Sequence, residues 1–195
     1  MEKILSNSID FEGPFPEQRR RLRLGVVGGG RIAQTQAMAA RMTGRWDVVA
    51  GALSSDPMRS KERANLWHID EARAYHDFDE MVEKELKRSD GVDAVMITTP
   101  NNMHYPAAKV FLESGIDVIC DKPLTNTIEE AKDLKKVVDK SNCVFAVCYT
   151  MSCYPMIRQA QEIVKSGVLG AINQIHVEFM HCLLYTSPSP RDSAL

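Results

Sequence analysis

No apolar run in this chain is long enough to span a membrane, and the first ten residues have no signal-peptide core. Both absences set the expectation of a cytoplasmic protein with no membrane contact. Charge of one sign is scarce as well. The formal net charge is −2 over 195 residues, and most basic residues are scattered. Their one dense cluster, Arg19, Arg20, Arg21 and Arg23, precedes the first predicted strand. It reads as a solvated entry segment, so no nucleic-acid partner is expected. Five cysteines are present, none of them in a C-x-x-C pair. Cys120, Cys143 and Cys148 fall in or beside predicted buried strands, where cysteine serves as a small reduced hydrophobe, again in keeping with the cytoplasm. His68, His76, His176 and His181 lack metal-ligand spacing, so no metal site is expected. The remainder is ordinary globular composition, 44% hydrophobic and 26% charged. The length suits one sizeable domain and part of a second.

Strands alternate with helices along most of the chain. Residues 1–21, with Pro14 and Pro16, read as an irregular arm. Strands are expected at Leu22–Val27, Asp47–Leu53, Ala94–Thr98, Ile116–Cys120 and Val144–Cys148, with a shorter one at Ala72–Tyr75. Between them lie helical patterns: 31 to about 42, Pro57–Trp67 opened by Asp56 as N-cap, Phe78–Lys87, Tyr105–Ser114 ended by Gly115, and a helix to about Lys140 opened by the capping box of Thr127 and Glu130. This alternation implies an α/β fold with a doubly wound parallel sheet. Pro155–Ser166 then reads as a helix. Ile172–Phe179 alternates like a strand with one exposed face.

Three sites carry candidate chemistry. Gly28, Gly30 and Ala33 meet the pattern G-x-G-x-x-A between a strand and a helix. Gly28 permits a tight turn, Gly30 leaves room for a pyrophosphate, and Ala33 allows close helix–sheet packing. Arg31 and Ile32 open a helix whose free N–H groups favour phosphate. A purely structural turn is the alternative. The loop Thr98 to His104 follows a buried strand. In it Pro100 stiffens the exit, and Asn101 or Asn102 can cap the next helix and also face a ligand. His104 reads either as a ligand contact or as an ordinary residue of the first helical turn, and the second reading is preferred on the residue alone. Lys122 follows a strand's carboxyl end, where open α/β sheets bind ligands, and a lysine there can hold negative charge or donate a proton. A solvated loop lysine is the alternative.

Taken together, the turn at Gly28–Ala33, the T-P-N-x-x-H segment Thr99–His104 and Asp121-Lys122-Pro123 resemble the Gfo/Idh/MocA family of nicotinamide-dependent oxidoreductases. So does Tyr154–Gly170, which is similar to that family's crossover helix. The family's usual E-K-P appears here with Asp121, a shorter carboxylate. The resemblance implies a Rossmann domain at 22–150 and the first helix and strand of an α+β substrate and oligomerisation domain at 151–181. It also implies hydride transfer between NAD(P) and a hydroxyl-bearing carbon of a sugar or cyclitol, with Lys122 beside the reacting oxygen. Cofactor contacts are expected from Gly28, Gly30, Arg31, Ile32, Ser54, Ser55, Thr99, Pro100, Asn101, His104, Asp121 and Lys122. The full-length protein would be a homo-oligomer. The Lys122–Pro123 peptide is expected to be cis. The family's Asp-x-x-x-His pair is not found. A non-catalytic dinucleotide-binding or sensor protein stays open as a second class.

Cofactor type turns on the end of the second strand. NAD sites place an acid there for the ribose hydroxyls, but the corresponding position is Ser54. Ser54 and Ser55 tolerate a 2′-phosphate, with Arg59 able to pair with it, and Asp56 reads most simply as a helix cap that could also reach the ribose. NADP is favoured and NAD stays open. Finally, residues 182–192 read as the translation of a transposon-based sequencing-library adapter, with a genuine Ser/Pro-rich tail as the alternative. On the adapter reading, 182–195 is non-native and the chain is a truncated dehydrogenase: a cofactor domain plus a stub ending near His181.

Overall fold

The computed structural model describes residues 20–178. The predicted arm up to residue 19, the tail at 182–195 and residues 179–181 lie outside the described residues. The chain divides after Tyr149 into two units.

The first unit is built on five parallel strands: β1 (Leu22–Val27), β2 (Trp46–Ala52), β3 (Ala94–Ile97), β4 (Asp117–Asp121) and β5 (Phe145–Cys148). Their order is β2-β1-β3-β4-β5, with every pair parallel. Helices α1 (Arg31–Met42), α2 (Pro57–Leu66), α3 (Phe78–Leu86), α4 (His104–Glu113) and α5 (Ile128–Lys140) alternate with them. Strands covered on both faces need apolar residues at every position rather than at every second one. Thus all four residues of β3 are buried, as are the last four of β1. Val26, Ala94 and Met96 pack with Ala33 and Ala37 of α1 and Ala64 of α2. Val27, Val95 and Ile97 pack on the other face with Met81 of α3, Phe111 of α4 and Leu134 of α5.

The helix starts follow local chemistry. The Asp56 carboxylate accepts from the amides of Met58 and Arg59, and Pro57 sits at the first helical position, where its missing N–H costs nothing. Thr127 and Glu130 form the reciprocal capping box. Gly115 ends the α4 turn at φ +77°, a backbone conformation that disfavours a side chain.

Two predicted strands are absent. At Ala72–Tyr75 there is instead a short 3-10 turn over Glu71–Arg73, and only Ala74 bridges to the sheet, at Gly51. The cause lies further along the chain. Arg73 turns inward to meet the buried Glu85 carboxylate at 2.5 Å, and the Tyr75 hydroxyl donates to the same carboxylate at 2.6 Å. A buried charge must be paired, and that requirement overrides strand propensity. Ile172–Phe179 is the second case. Residues 172–178 belong to no strand, for a ladder needs a hydrogen-bonded neighbour and none stands beside them among the described residues. In the second unit the described regular structure is a 3-10 turn at Thr150–Cys153 and helix α6 (Pro155–Lys165).

The arginine cluster also does more than face solvent. Arg20 donates to both Asp93 oxygens, at 2.6 and 2.7 Å, and the Arg23 amide donates to Asp93 at 2.7 Å. These bonds clamp the starts of β1 and β3. The Arg20 guanidinium leads the groups that hold the Asp93 carboxyl far below its ordinary value of 3.8. A carboxylate depressed in this way stabilises the fold fully above its ordinary value, and the contribution fades as pH falls below it. Asp93→Asn is therefore expected to cost roughly 2 kcal/mol at pH 7. In urea titrations the gap from wild type should narrow progressively below about pH 3.8. An equal gap at pH 7 and pH 3 would remove the clamp from this role.

Candidate dinucleotide site

Strand order reverses beside β1. The chain leaves β1 toward β2 on one side, then crosses to β3 on the other. At such a reversal the connecting loops diverge and leave a crevice at the strands' carboxyl ends. Here the crevice is a cavity of about 390 Å³ lined by Gly28, Ser54, Ser55, His76, Thr99 and Pro100, among others.

The β1 turn is shaped by its glycines in different ways. Gly28 has φ +99°, and a Cβ there would meet the Thr98 carbonyl oxygen at 2.9 Å. A Cβ on Gly29 would strike the Leu53 carbonyl oxygen, which also accepts from Arg63 Nη1 at 2.8 Å. Gly30 differs: nothing lies within 4 Å of where its Cβ would be. It is the N-cap of α1, makes no side-chain cap bond, and its carbonyl accepts from Gln34. The amides of Arg31, Ile32 and Ala33 have no acceptor among the described residues. Open space beside unpaired N–H groups at a helix N-terminus fits a pyrophosphate in charge and shape. Ala33 is fully buried between α1 and the sheet, as the spacing requires.

On the β2 side, Ser60 fixes the wall. Its hydroxyl accepts from the Leu53 amide at 3.0 Å and donates to the Tyr75 carbonyl at 2.9 Å. Ser54 and Ser55 thereby face the same cavity as His76, Asp77 and Phe78. Sequence reasoning missed the last three. No local signal marks them: Tyr75 pairs through its amide with Gly51, far back in the chain, and so sets the next residues beside the end of β2. His76 Nδ1 lies 2.9 Å from Asp77 Oδ2. The Glu80 amide is the main cause holding the Asp77 carboxyl below its usual range.

On the β3 side, Thr98 donates through its amide to Val27 at 2.8 Å and locks the two strand ends together. Thr99 Oγ1 is buried without a protein partner, an orphaned polar atom at the crevice wall. Asn101 and Asn102 form an exposed 3-10 turn with Met103. Neither caps α4, because that helix follows the turn directly and has no side-chain cap bond. Asn102 and Met103 reach the cavity lining, whereas Asn101 and His104 do not. His104 is 1% exposed, and both ring nitrogens face main-chain oxygens. Both nitrogens are taken up by the protein's own main chain, which leaves the cofactor contact expected of His104 without a ring nitrogen to make it.

Asp121 and Lys122 close β4, one strand further along, outside the cavity lining. Asp121 Oδ1 accepts from the Lys122 amide at 2.9 Å, so the shorter carboxylate braces its own turn. The Lys122–Pro123 peptide is cis. The Lys122 side chain is exposed, and its ammonium has no partner among the described residues. Beneath it, burial pushes the Cys120 thiol up to about 12, which keeps it protonated and unreactive at neutral pH.

Residues 22–149 match the Gfo/Idh/MocA oxidoreductases, described as an oxidoreductase family with an NAD-binding Rossmann fold. A D-xylose 1-dehydrogenase [NADP(+)] of Haloarcula marismortui is 28% identical over 87% of this chain and 46% of its own. The crystal structure of an oxidoreductase from Sinorhizobium meliloti is 47% identical with a TM-score of 0.76, over 78% of this chain and 43% of that one. An inositol dehydrogenase homolog from Azotobacter vinelandii, solved with NADH and myo-inositol, is 34% identical with a TM-score of 0.75, over 77% and 41%. The chain spans about half the length of the curated relatives it matches. Among the described residues no helix is long and apolar enough to cross a membrane.

The open space at Gly30 makes a clean probe of the turn. A Cβ at Gly30 meets no protein atom and the residue sits at φ −75°, so Gly30→Val should cost near 1 kcal/mol, the loss of a good N-cap. The side chain would nevertheless fill the space a phosphate needs. Fluorescence titration with NADH and NADPH should show affinity reduced by about tenfold or more, or about 1.4 kcal/mol. Equal affinity for variant and wild type would remove the pyrophosphate from this turn.

Proposed function

The chain belongs to the Gfo/Idh/MocA oxidoreductase family, and from that premise we propose that it is the NAD(P)-binding part of a cytoplasmic sugar or cyclitol dehydrogenase. The observation that carries the proposal is the Gly28–Ala33 turn: unpaired amides and open space at a sheet's topological switch point. The cavity beside it suits a nucleotide in size. The names of two relatives support the substrate class, one a xylose dehydrogenase and the other an inositol dehydrogenase homolog holding myo-inositol.

The chain's own residues divide the work. The amides of Arg31 and Ile32 hold phosphate, and Ser54 and Ser55 meet the ribose. Thr99, Pro100 and Asn102 wall the crevice toward β4. A bound nicotinamide supplies a hydride acceptor. The unpartnered Lys122 Nζ orients the substrate hydroxyl and stabilises negative charge as its oxygen gives up a proton. The base and the residues that choose the substrate belong to the half that the longer relatives carry beyond the match. This chain by itself accordingly binds nucleotide without turnover, and a complete protein would form a homo-oligomer. The 182–195 tail is adapter-derived on this proposal, and sequencing the source gene from independent DNA tests it.

The favoured cofactor is NADP. Among the described residues, the carboxylates near the end of β2 already have protein partners: Asp77 accepts from the Glu80 amide and lies against His76. The Asp56 carboxylate is committed to two α2 amides, and Arg59 Nε lies 3.9 Å from it. Two serine hydroxyls and a nearby guanidinium suit a 2′-phosphate better than a ribose diol. Ser54→Asp should therefore weaken NADPH by about tenfold or more, about 1.4 kcal/mol, and improve NADH, read by fluorescence titration. Tighter NADH than NADPH binding in the unaltered chain would overturn the assignment.

Lys122 is tested in a version carrying the complete second half. Lys122→Ala should lower kcat by roughly 10²–10⁴ while the Kd for NADPH stays within about twofold, because the ammonium acts on substrate oxygen rather than on the nucleotide. Turnover that survives the change would remove Lys122 from the chemistry.

A further inference from the structure

His104 ties together two loops that the site needs in register. It is the first residue of α4 and 1% exposed. Its Nδ1 lies 2.7 Å from the carbonyl oxygen of Pro123, in the turn after β4. Its Nε2 lies 3.0 Å from the carbonyl oxygen of Thr99, in the loop after β3. Both partners are acceptors. A neutral imidazole can donate to only one of them, and a doubly protonated ring donates to both. Among the described residues the ring nitrogens make no other hydrogen bond, and the ring spans the two loops as a wedge.

These loops are not interchangeable with the rest of the crevice. A dinucleotide centred on the β1 turn extends one half over β2, toward Ser54 and Ser55, and the other over β3 and β4. That second half lies toward Thr99, Asn102 and Lys122. The strands below are fixed by pairing, with Ile97 opposite Cys120. The loops above them share no main-chain hydrogen bond; among the described residues His104 is the side chain that bonds to both.

Resting on the dinucleotide reading of the crevice, we infer that His104 is a positioning residue. It sets the Lys122–Pro123 turn against the Thr99–Asn102 loop, and so acts on the half of the nucleotide farther from the adenine. It touches neither nucleotide nor substrate.

The test uses the 195-residue chain with His104→Phe, which keeps a ring in the buried slot and deletes both bonds, and His104→Gln, whose amide restores one donor. NADPH and NADH are titrated beside their adenine halves, 2′,5′-ADP and 5′-ADP. His104→Phe should weaken the preferred dinucleotide by about tenfold, about 1.4 kcal/mol, and leave its adenine half within about twofold. His104→Gln should recover part of the loss. Hydrogen exchange in the absence of nucleotide should quicken at residues 99–103 and 121–124 and stay unchanged at 28–33. Equal weakening of dinucleotide and adenine half would reduce His104 to a general core residue. Unchanged exchange at 121–124 would overturn the tie itself. A wild-type chain that binds none of the four nucleotides would overturn the dinucleotide reading and with it any effect on a nucleotide, while the exchange data would still decide whether His104 joins the loops. If His104→Phe fails to fold, His104→Gln carries the same comparisons.

Discussion

Because β1 pairs with β2 on one edge and with β3 on the other, everything at the carboxyl end of the sheet is placed by that one strand. Its last four residues are buried on both faces, so it cannot slide or rotate without exposing apolar surface. Gly28 donates to Ala52 at the end of β2, and Val27 accepts from Thr98 at the end of β3. Three strand ends are thus bonded to one point. The crevice is a by-product of this pairing: loops that leave neighbouring parallel strands in opposite senses cannot fill the space above them. Asp93 serves the opposite end of the same pair, binding Arg20 and Arg23 where β1 and β3 begin.

Much of this was legible in the sequence because its signals are local. A run of apolar residues followed by glycines describes β1 and its turn within twelve positions. Asp56-Pro57 and Thr127 with Glu130 specify helix starts within four. What escaped depends on partners far along the chain. Arg73 could not be placed inward without knowing that Glu85 waits there. The entry arginines could not be paired without Asp93. His76 faces the crevice only because Tyr75 pairs with Gly51. Pattern also misleads when the partner surface is missing from view. Ile172–Phe179 has strand periodicity, yet periodicity states which face wants burial and not what supplies the neighbouring strand. Helix α6 was correctly placed by the same kind of pattern, since a helix closes its hydrogen bonds internally.

The site motif reads differently once its glycines are separated by cause. Gly28 and Gly29 are demanded by the folded chain, the first by its positive φ and by contact with Thr98, the second by contact with Leu53. Gly30 is demanded by neither. Its smallness also suits an N-cap, and on the proposed function the open space beside it is kept for phosphate. That open space says more than the motif match, which any strand–turn–helix with three glycines would satisfy. Thr99 Oγ1 makes the same point from the opposite wall, as a buried oxygen without a partner.

Asp56 shows how one carboxylate excludes itself from a second task. At the end of β2 an acid can bind ribose hydroxyls only if its oxygens are free and aimed into the crevice. Here Oδ1 accepts from two amides of α2, and Oδ2 faces Arg59. Withdrawing it would leave the first turn of α2 uncapped, at a cost of about 1 kcal/mol before any ligand contact is counted. Ser54 is held as well, its hydroxyl accepting from the Asp56 amide at 3.2 Å, but a hydroxyl retains a proton to donate. The end of β2 therefore offers hydroxyls, which donate as well as accept, in place of a free carboxylate, which only accepts. A phosphate, which has only acceptors to offer, meets that wall on complementary terms. On the proposed NADP reading, cofactor choice would follow from how α2 is capped.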